Sequence, residues 1–352
     1  MPSQILHTLF GEDVLAALDR ALRPGFGVVA KRAREKVEEE FRFSFVLGCQ
    51  GPDIFYHNQM TRPVGLEYGT LLHRRGSGAF TAALLKLALP ASPASAADVL
   101  AHRKEGAITG LGAYALGFMT HAILDRACHP YIVYKTVREP TIHAFFERIL
   151  DTLMLEELRR MPVAAWDQDS LAQICDSPPA GLKDILALAL RQAFPERAGR
   201  DAKLRQRMDN TFRDCGWFYR YTAPGRTSFP RDIMEEIPLV YLYPEDLPDD
   251  IDYLNREHRD WYYPTGDSPA DSRSFPDIYA QALESAVETL SPPIAVYLET
   301  GAFPIVEAAR RIGNGGLSIQ DATGKPCAPS RSDPLPLERV LEQQRRLRSI
   351  RT

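Results

Sequence analysis

Apolar residues recur at helical spacing through most of the chain, and period-two alternation is scarce. Leu6, Phe10, Val14, Leu18 and Leu22 share one face, which predicts an amphipathic helix over residues 3 to 22 with His7 on the same side. Gly25 and Gly27 interrupt that pattern, and a charged helix is expected from Val28 to Phe41. The apolar stretch Phe43 to Leu47 leads into Gly48-Cys49-Gln50-Gly51-Pro52-Asp53, a loop by its glycines and proline. A helical pattern resumes over 66 to 88 around His73, and residues 90 to 95 read as a linker. Gly106 to Tyr134 is the most apolar long segment; it predicts a buried helix, with Gly110, Gly112 and Gly117 allowing close contacts. Pro140 opens another helix, reaching about Met161. Residues 168 to 222 and 275 to 311 read as helical, and a short basic helix is expected over Leu337 to Arg351. The expected fold is all-α, with multiple helices and little strand.

Composition narrows the class. A chain of 352 residues makes one large domain or two ordinary ones. The 42 basic and 46 acidic residues give a net charge of −4, which excludes a generally basic nucleic-acid binder. The stretch Glu235 to Asp260 holds nine acids and two bases and is expected to form a packed or solvated flap. No apolar run reaches the roughly 18 residues of a transmembrane segment. Glu12, Asp13, Asp19 and Arg20 break any signal-peptide core, so a cytoplasmic location is expected. Five cysteines, an odd number with no CxxC, read as reduced thiols.

The histidines carry the chemistry. Seven of the eight precede residue 144. His121, Asp125 and His129 stand at i, i+4 and i+8, so they spread over only about 80° of a helix that is otherwise apolar. His143 and Glu147 repeat the device on the next helix. Burying an acid between imidazoles without a cation is costly, and a bound metal removes that cost. Imidazole and carboxylate donors without thiolate favour Zn²⁺ over Mn²⁺ or Fe²⁺. His57 is expected to be solvated, and Arg74 and Arg75 to form a surface pair.

Four stretches then carry a resemblance: His7-Thr-Leu-Phe-Gly11, Leu47-Gly-Cys-Gln-Gly-Pro-Asp-Ile-Phe-Tyr56, Gly117-Phe-Met-Thr-His-Ala-Ile-Leu-Asp-Arg-Ala-Cys-His-Pro-Tyr131 and His143-Ala-Phe-Phe-Glu147, with His73 between the second and third. Over about residues 1 to 160 the chain resembles the zinc-dependent phospholipase C family in its bacterial, non-secreted branch, whose fold is shared by fungal single-strand nucleases. The resemblance implies a metal-binding core over 1–165, a helical extension over 166–312 packed on it, and a tail over 313–352. It implies two or three zinc ions. Asp53, His73, His121 and Asp125 would hold one, and His129, His143 and Glu147 a second. His7 and Asp125 would contribute to a third, with Asp125 bridging. Secreted relatives complete the third site with an N-terminal Trp; this chain begins Met1-Pro2-Ser3, so that site is the least complete.

The activity so implied is phosphodiester hydrolysis of phospholipase C type, giving diacylglycerol and a phosphorylated head group. Metal-bound hydroxide would attack in line. Asp53 would orient or deprotonate the water, and Tyr56 and Tyr131 would contact substrate. The partners expected are a phospholipid or another phosphodiester, with transient contact to a membrane surface. The alternatives are a nuclease or soluble phosphoesterase on the same fold, or a non-catalytic metal-stabilised protein; the acidic flap argues against a nucleic-acid track.

Overall fold

Helix α1 (Gln4–Glu39) follows the first apolar face but is two arms, because Gly27 holds φ 44°, ψ −114° inside it. Glycine reaches that conformation without a Cβ clash. The arms fold back on each other: Asp19 Oδ2 lies 3.3 Å from Arg34 Nη1, and just beyond the second arm Arg42 Nη2 lies 2.8 Å from Glu12 Oε1. A straight helix would separate residues 19 and 34 by about 22 Å. This computed structural model describes residues 4–89, 95, 97–99, 101, 108–137, 139–224, 238–321 and 323–351. Most of the linker expected at 90 to 95 lies outside them, as do residues 235 to 237 of the acidic stretch.

The chain continues through α2 (Arg42–Cys49), a 3-10 turn (Gly51–Phe55), α3 (Leu66–Arg74) and α4 (Ser77–Ala88). Gly76, at φ 76°, splits the single helical pattern expected over 66 to 88. The apolar segment forms α5 (Gly110–Thr136), whose first turn is capped by Thr109. Pro140 starts α6 (Pro140–Arg159), where the Glu139 side chain accepts from Ile142 N. The pattern over 168 to 222 resolves into α7 (Asp169–Asp176), α8 (Leu182–Ala193) and α9 (Leu204–Tyr221). A Ser274–Asp277 capping box opens α10 (Phe275–Thr300), Gly301 ends it, and α11 (Ile305–Ile312) and α12 (Leu337–Arg351) follow. The described strands are β1 (Trp261–Tyr262) and β2 (Ala270–Asp271), an antiparallel pair with Trp261 opposite Asp271. The protein is all-α, and no helix among the described residues is long and apolar enough to cross a membrane.

α5 is the axis of the core and packs against α1, α2, α4, α6 and α10. Its contact with α2 is backbone to backbone. A Cβ on Gly117 would stand 2.3 Å from Phe45 O, and one on Gly48 would stand 2.2 Å from Tyr114 O. Gly110 and Gly112 face only side chains, at 3.3 and 3.0 Å, so the close approach belongs to Gly117. Gly117→Ala is expected to force the helices apart and lower stability by about 1–3 kcal/mol, read from denaturant midpoints. An unchanged midpoint would contradict direct backbone contact.

One apolar cluster runs from Leu6 to Leu341, so positions 166 and 313 mark no gap in packing. The tail returns over the helices that carry His73 and Asp125. Leu317 N donates to His73 O at 2.8 Å, and Arg126 donates to the carbonyls of Ile312, Gly313, Gly315 and Gly316. The acidic stretch is packed where it is described: Val240, Ile251, Tyr253 and Leu254 are buried.

Candidate metal centre

Five segments bring their donors to one place. His7 lies near the start of α1, which is fixed by Asp151 on α6: its carboxylate accepts from Gln4 N at 3.0 Å and Leu6 N at 2.7 Å. Asp53 sits in the 3-10 turn after Gly51, whose φ of 53° and missing Cβ both matter. A Cβ at Gly51 would lie 2.3 Å from the His121 ring. Asp214 on α9 holds the chain beyond that turn, accepting from Asn58 Nδ2 at 2.7 Å, Thr61 N at 2.8 Å and Met60 N at 3.0 Å. His73 closes α3, and His121, Asp125 and His129 line one face of α5. His143 and Glu147 come from the first turns of α6.

Asp125 is the centre. Its Oδ1 lies 3.4 Å from His7 Nε2 and 3.3 Å from His129 Nδ1. Its Oδ2 lies 3.4 Å from His73 Nε2 and 3.5 Å from His121 Nε2. Asp53 Oδ1 is 2.9 Å from His73 Nε2, and Asp53 Oδ2 is 3.9 Å from both His7 and His121 Nε2. Beyond His129, Glu147 Oε1 lies 3.2 Å from His143 Nε2 and 3.8 Å from His129 Nε2. Three donor groups emerge, each compact enough to hold an ion: His7, His121 and Asp125; Asp53, His73 and His121; His129, His143 and Glu147.

The donors fit a divalent metal on three counts. A zinc tetrahedron with bonds of about 2.1 Å has edges of about 3.4 Å, close to most of the spacings around Asp125. Asp125 Oδ2 and His121 Nε2 are buried with no hydrogen-bond partner among the described residues, which is costly unless something else meets them. The outward ring nitrogens are braced: His121 Nδ1 meets Cys49 O at 3.1 Å, His73 Nδ1 meets Gly69 O at 2.8 Å, and His129 Nδ1 meets Asp125 O at 3.1 Å. Thr136 donates to Ile132 O, so its oxygen accepts from His143 Nδ1 at 3.4 Å. These contacts assign the proton to Nδ1 and turn the Nε2 lone pair inward. His7 is the exception, because its buried Nδ1 has no hydrogen-bond partner among the described residues. No Lys or Arg among the described residues lies within ion-pair distance of Asp53 or Asp125.

Burial alone would raise the carboxyl pKa values, but the imidazoles overrule it. His121 and His73 hold Asp53 down to about 2, and His129 and His121 hold Asp125 well below its ordinary value. Burial would lower His73, yet Tyr56, Asp125 and Asp53 raise it well above the usual imidazole range; His129 is raised in the same way, mainly by Asp125. Burial wins at His121 and His143, which are lowered.

A cavity of about 310 Å³ opens on Asp53, His73, His129, His143 and Glu147, the lower end of the small-molecule range. Tyr56, Thr70, Arg74, Val133, Pro140, Ser318 and Pro326 complete its described wall, so the tail forms part of it. The Tyr56 ring tilts over His73, with centroids 5.0 Å apart. Arg74 is exposed and has no ion-pair partner among the described residues. Tyr131, expected to touch substrate, does not reach the cavity. It is fully buried against Phe146, Trp261 and Phe275, and its hydroxyl donates to Tyr253 O at 2.9 Å. His57 is not solvated either: it stacks on Phe218 at 4.0 Å, and burial pushes its pKa down to about 3. Asp151, Asp214 and Arg126 act as braces that local spacing did not reveal. Comparison of the chain with family models, with curated proteins and with solved structures gave no match.

Proposed function

We propose that the protein is a zinc-dependent phosphodiester hydrolase of phospholipase C type. The observation that carries this reading is the convergence of eight donor residues in three groups, five of them lining one cavity of about 310 Å³. Asp53, His73, His121 and Asp125 would hold one ion, His129, His143 and Glu147 a second, and His7 with Asp125 a third. Two or three zinc ions, when bound, supply positive charge for a phosphate and acidify a water.

The chain's own groups do the rest. Asp125 ties the donor groups together through both oxygens, so it fixes their separation. The Asp53 carboxylate presents an acceptor at the cavity floor and orients the attacking water. Its low proton affinity suits that task better than removing a proton outright. Tyr56 and the tail residues Ser318 and Pro326 shape the space around the phosphate's substituents. Among the described residues Tyr56 is the one Phe, Tyr or Trp on the cavity wall, which offers successive nucleic-acid bases no stacking platform and places a nuclease second.

The test is metal analysis of the purified chain followed by a substrate panel. Two or three zinc per chain are expected, with turnover of phosphatidylcholine vesicles and of bis(p-nitrophenyl) phosphate. Single-stranded DNA is expected to remain intact. A fully loaded protein that cleaves none of the three would overturn the catalytic reading and favour a metal-stabilised structural role.

A further inference from the structure

The stretch from Arg20 to Arg34 holds five basic residues, Arg20, Arg23, Lys31, Arg32 and Arg34, and no acid. The fold gathers them around the tip of the α1 hairpin. The cross-arm pair Asp19–Arg34 and the pair Glu12–Arg42, which joins the first arm to the start of α2, both centre on Gly27, whose positive φ makes the bend. Next to it Val28 is 62% exposed, and Pro24 and Gly25 are exposed as well. Arg23 and Arg34 lean on the buried Asp19, and Lys31 pairs with Glu35; the Arg23 and Lys31 side chains nonetheless remain 58% and 62% exposed. Arg20 has no ion-pair partner among the described residues. Of the acids of the second arm, Glu35 pairs with Lys31 and Glu38 with Arg34 at 2.8 Å, and Glu39 lies furthest from the bend.

We propose that this tip docks the protein on an anionic lipid surface, with Val28 entering the head-group layer and the basic collar resting on lipid phosphates. Twenty residues of helix place the bend about 30 Å from His7, so the tip is separate from the metal centre and the proposal does not depend on what that centre does. An exposed aliphatic residue at the end of a basic hairpin fits a bilayer better than a nucleic acid. A phosphate track has no use for an apolar point at its middle, whereas charge attraction and shallow apolar insertion act together at an interface where one signal alone holds weakly. Glycine at the bend brings the arm that carries Arg20 and Arg23 back beside the arm that carries Lys31, Arg32 and Arg34.

Co-sedimentation of the full chain with vesicles tests this without any turnover. Vesicles of phosphatidylcholine alone are compared with vesicles containing about 30 mol% phosphatidylglycerol, at about 0.1 M and about 0.5 M salt. Binding is expected to rise at least about tenfold with the anionic lipid and to fall at the higher salt. Val28→Glu and the double substitution Arg20→Glu with Arg32→Glu are each expected to reduce it about tenfold while circular dichroism, thermal midpoint and metal content stay unchanged. Equal binding to both vesicle types would overturn the proposal. So would lipid binding that Val28→Glu leaves intact, or tighter binding to single-stranded DNA lost in the same variants, which would mark the tip as a polyanion site.

Discussion

Asp125→Asn is expected to remove at least one ion from the metal centre and abolish phosphodiester turnover while leaving the helices in place. The carboxylate is approached by four imidazoles at 3.3–3.5 Å, two on each oxygen. Asparagine keeps the shape but removes the charge and turns one acceptor into a donor. At the Oδ2 position that donor would face the inward Nε2 lone pairs of His73 and His121. A change to a group that merely orients a ligand already costs about 10–100-fold in metal affinity, so loss of the shared carboxylate is expected to cost more than about 10²-fold. The three donor groups depend on it unequally. The His7–His121–Asp125 group loses its only carboxylate, whereas the His129–His143–Glu147 group keeps its own. The Asp53–His73–His121 group also keeps a carboxylate, so metal analysis of the variant is expected to show at least one ion lost and the His129–His143–Glu147 ion the best retained. A variant that stays fully loaded and active would show that Asp125 does not bridge.

That variant also marks how far the sequence reached. His121, Asp125 and His129 were legible because a helix of 3.6 residues per turn places them on one face, and α5 carries them there. The same geometry argues against Tyr131. It stands two residues after His129, about 200° around the helix, and it packs on the opposite side. Val133, four residues after His129, does line the cavity. Asp53, His73 and His7 are harder to read. Their chemistry is visible in the sequence, but nothing local sets their distance from α5, and only the resemblance grouped them beforehand.

The braces were not legible at all. Asp214 reaches the Asp53 loop across more than 150 residues, Asp151 reaches the start of α1 across about the same length, and Arg126 grips the tail from 186 or more residues away. Each satisfies backbone groups that have no helical partner, and such groups can be met from anywhere in the chain. Gly27 was legible as a break, yet its φ and ψ, which send the second arm back along the first, follow from packing. The tail carried no chemical motif, and its place on the cavity wall depends on His73 O and the Arg126 guanidinium.

Removal of metal by a chelator is expected to lower the unfolding temperature markedly and reversibly, with zinc restoring it. The donor set explains the size of the effect. Asp53, Asp125 and Glu147 are each 5% exposed or less, and in the metal-free chain their charge is met by shared imidazoles. An ion present at about a thousand times its Kd contributes about 4 kcal/mol of stability per site, so two or three sites outweigh the net stability of many domains. The pH sense is fixed by the imidazoles. A ligating nitrogen must first lose its proton, and neighbouring carboxylates hold the His73 and His129 protons to higher pH than an ordinary imidazole would. Proton competition therefore strengthens as pH falls, and metal affinity weakens across the raised imidazole range. The gap in unfolding temperature between the zinc-loaded and chelated protein is accordingly expected to be wide at about pH 8 and to narrow toward about pH 6. Calorimetry at matched free zinc measures it. A gap that is absent, or that widens on acidification, would mean that these imidazoles and carboxylates do not share a metal.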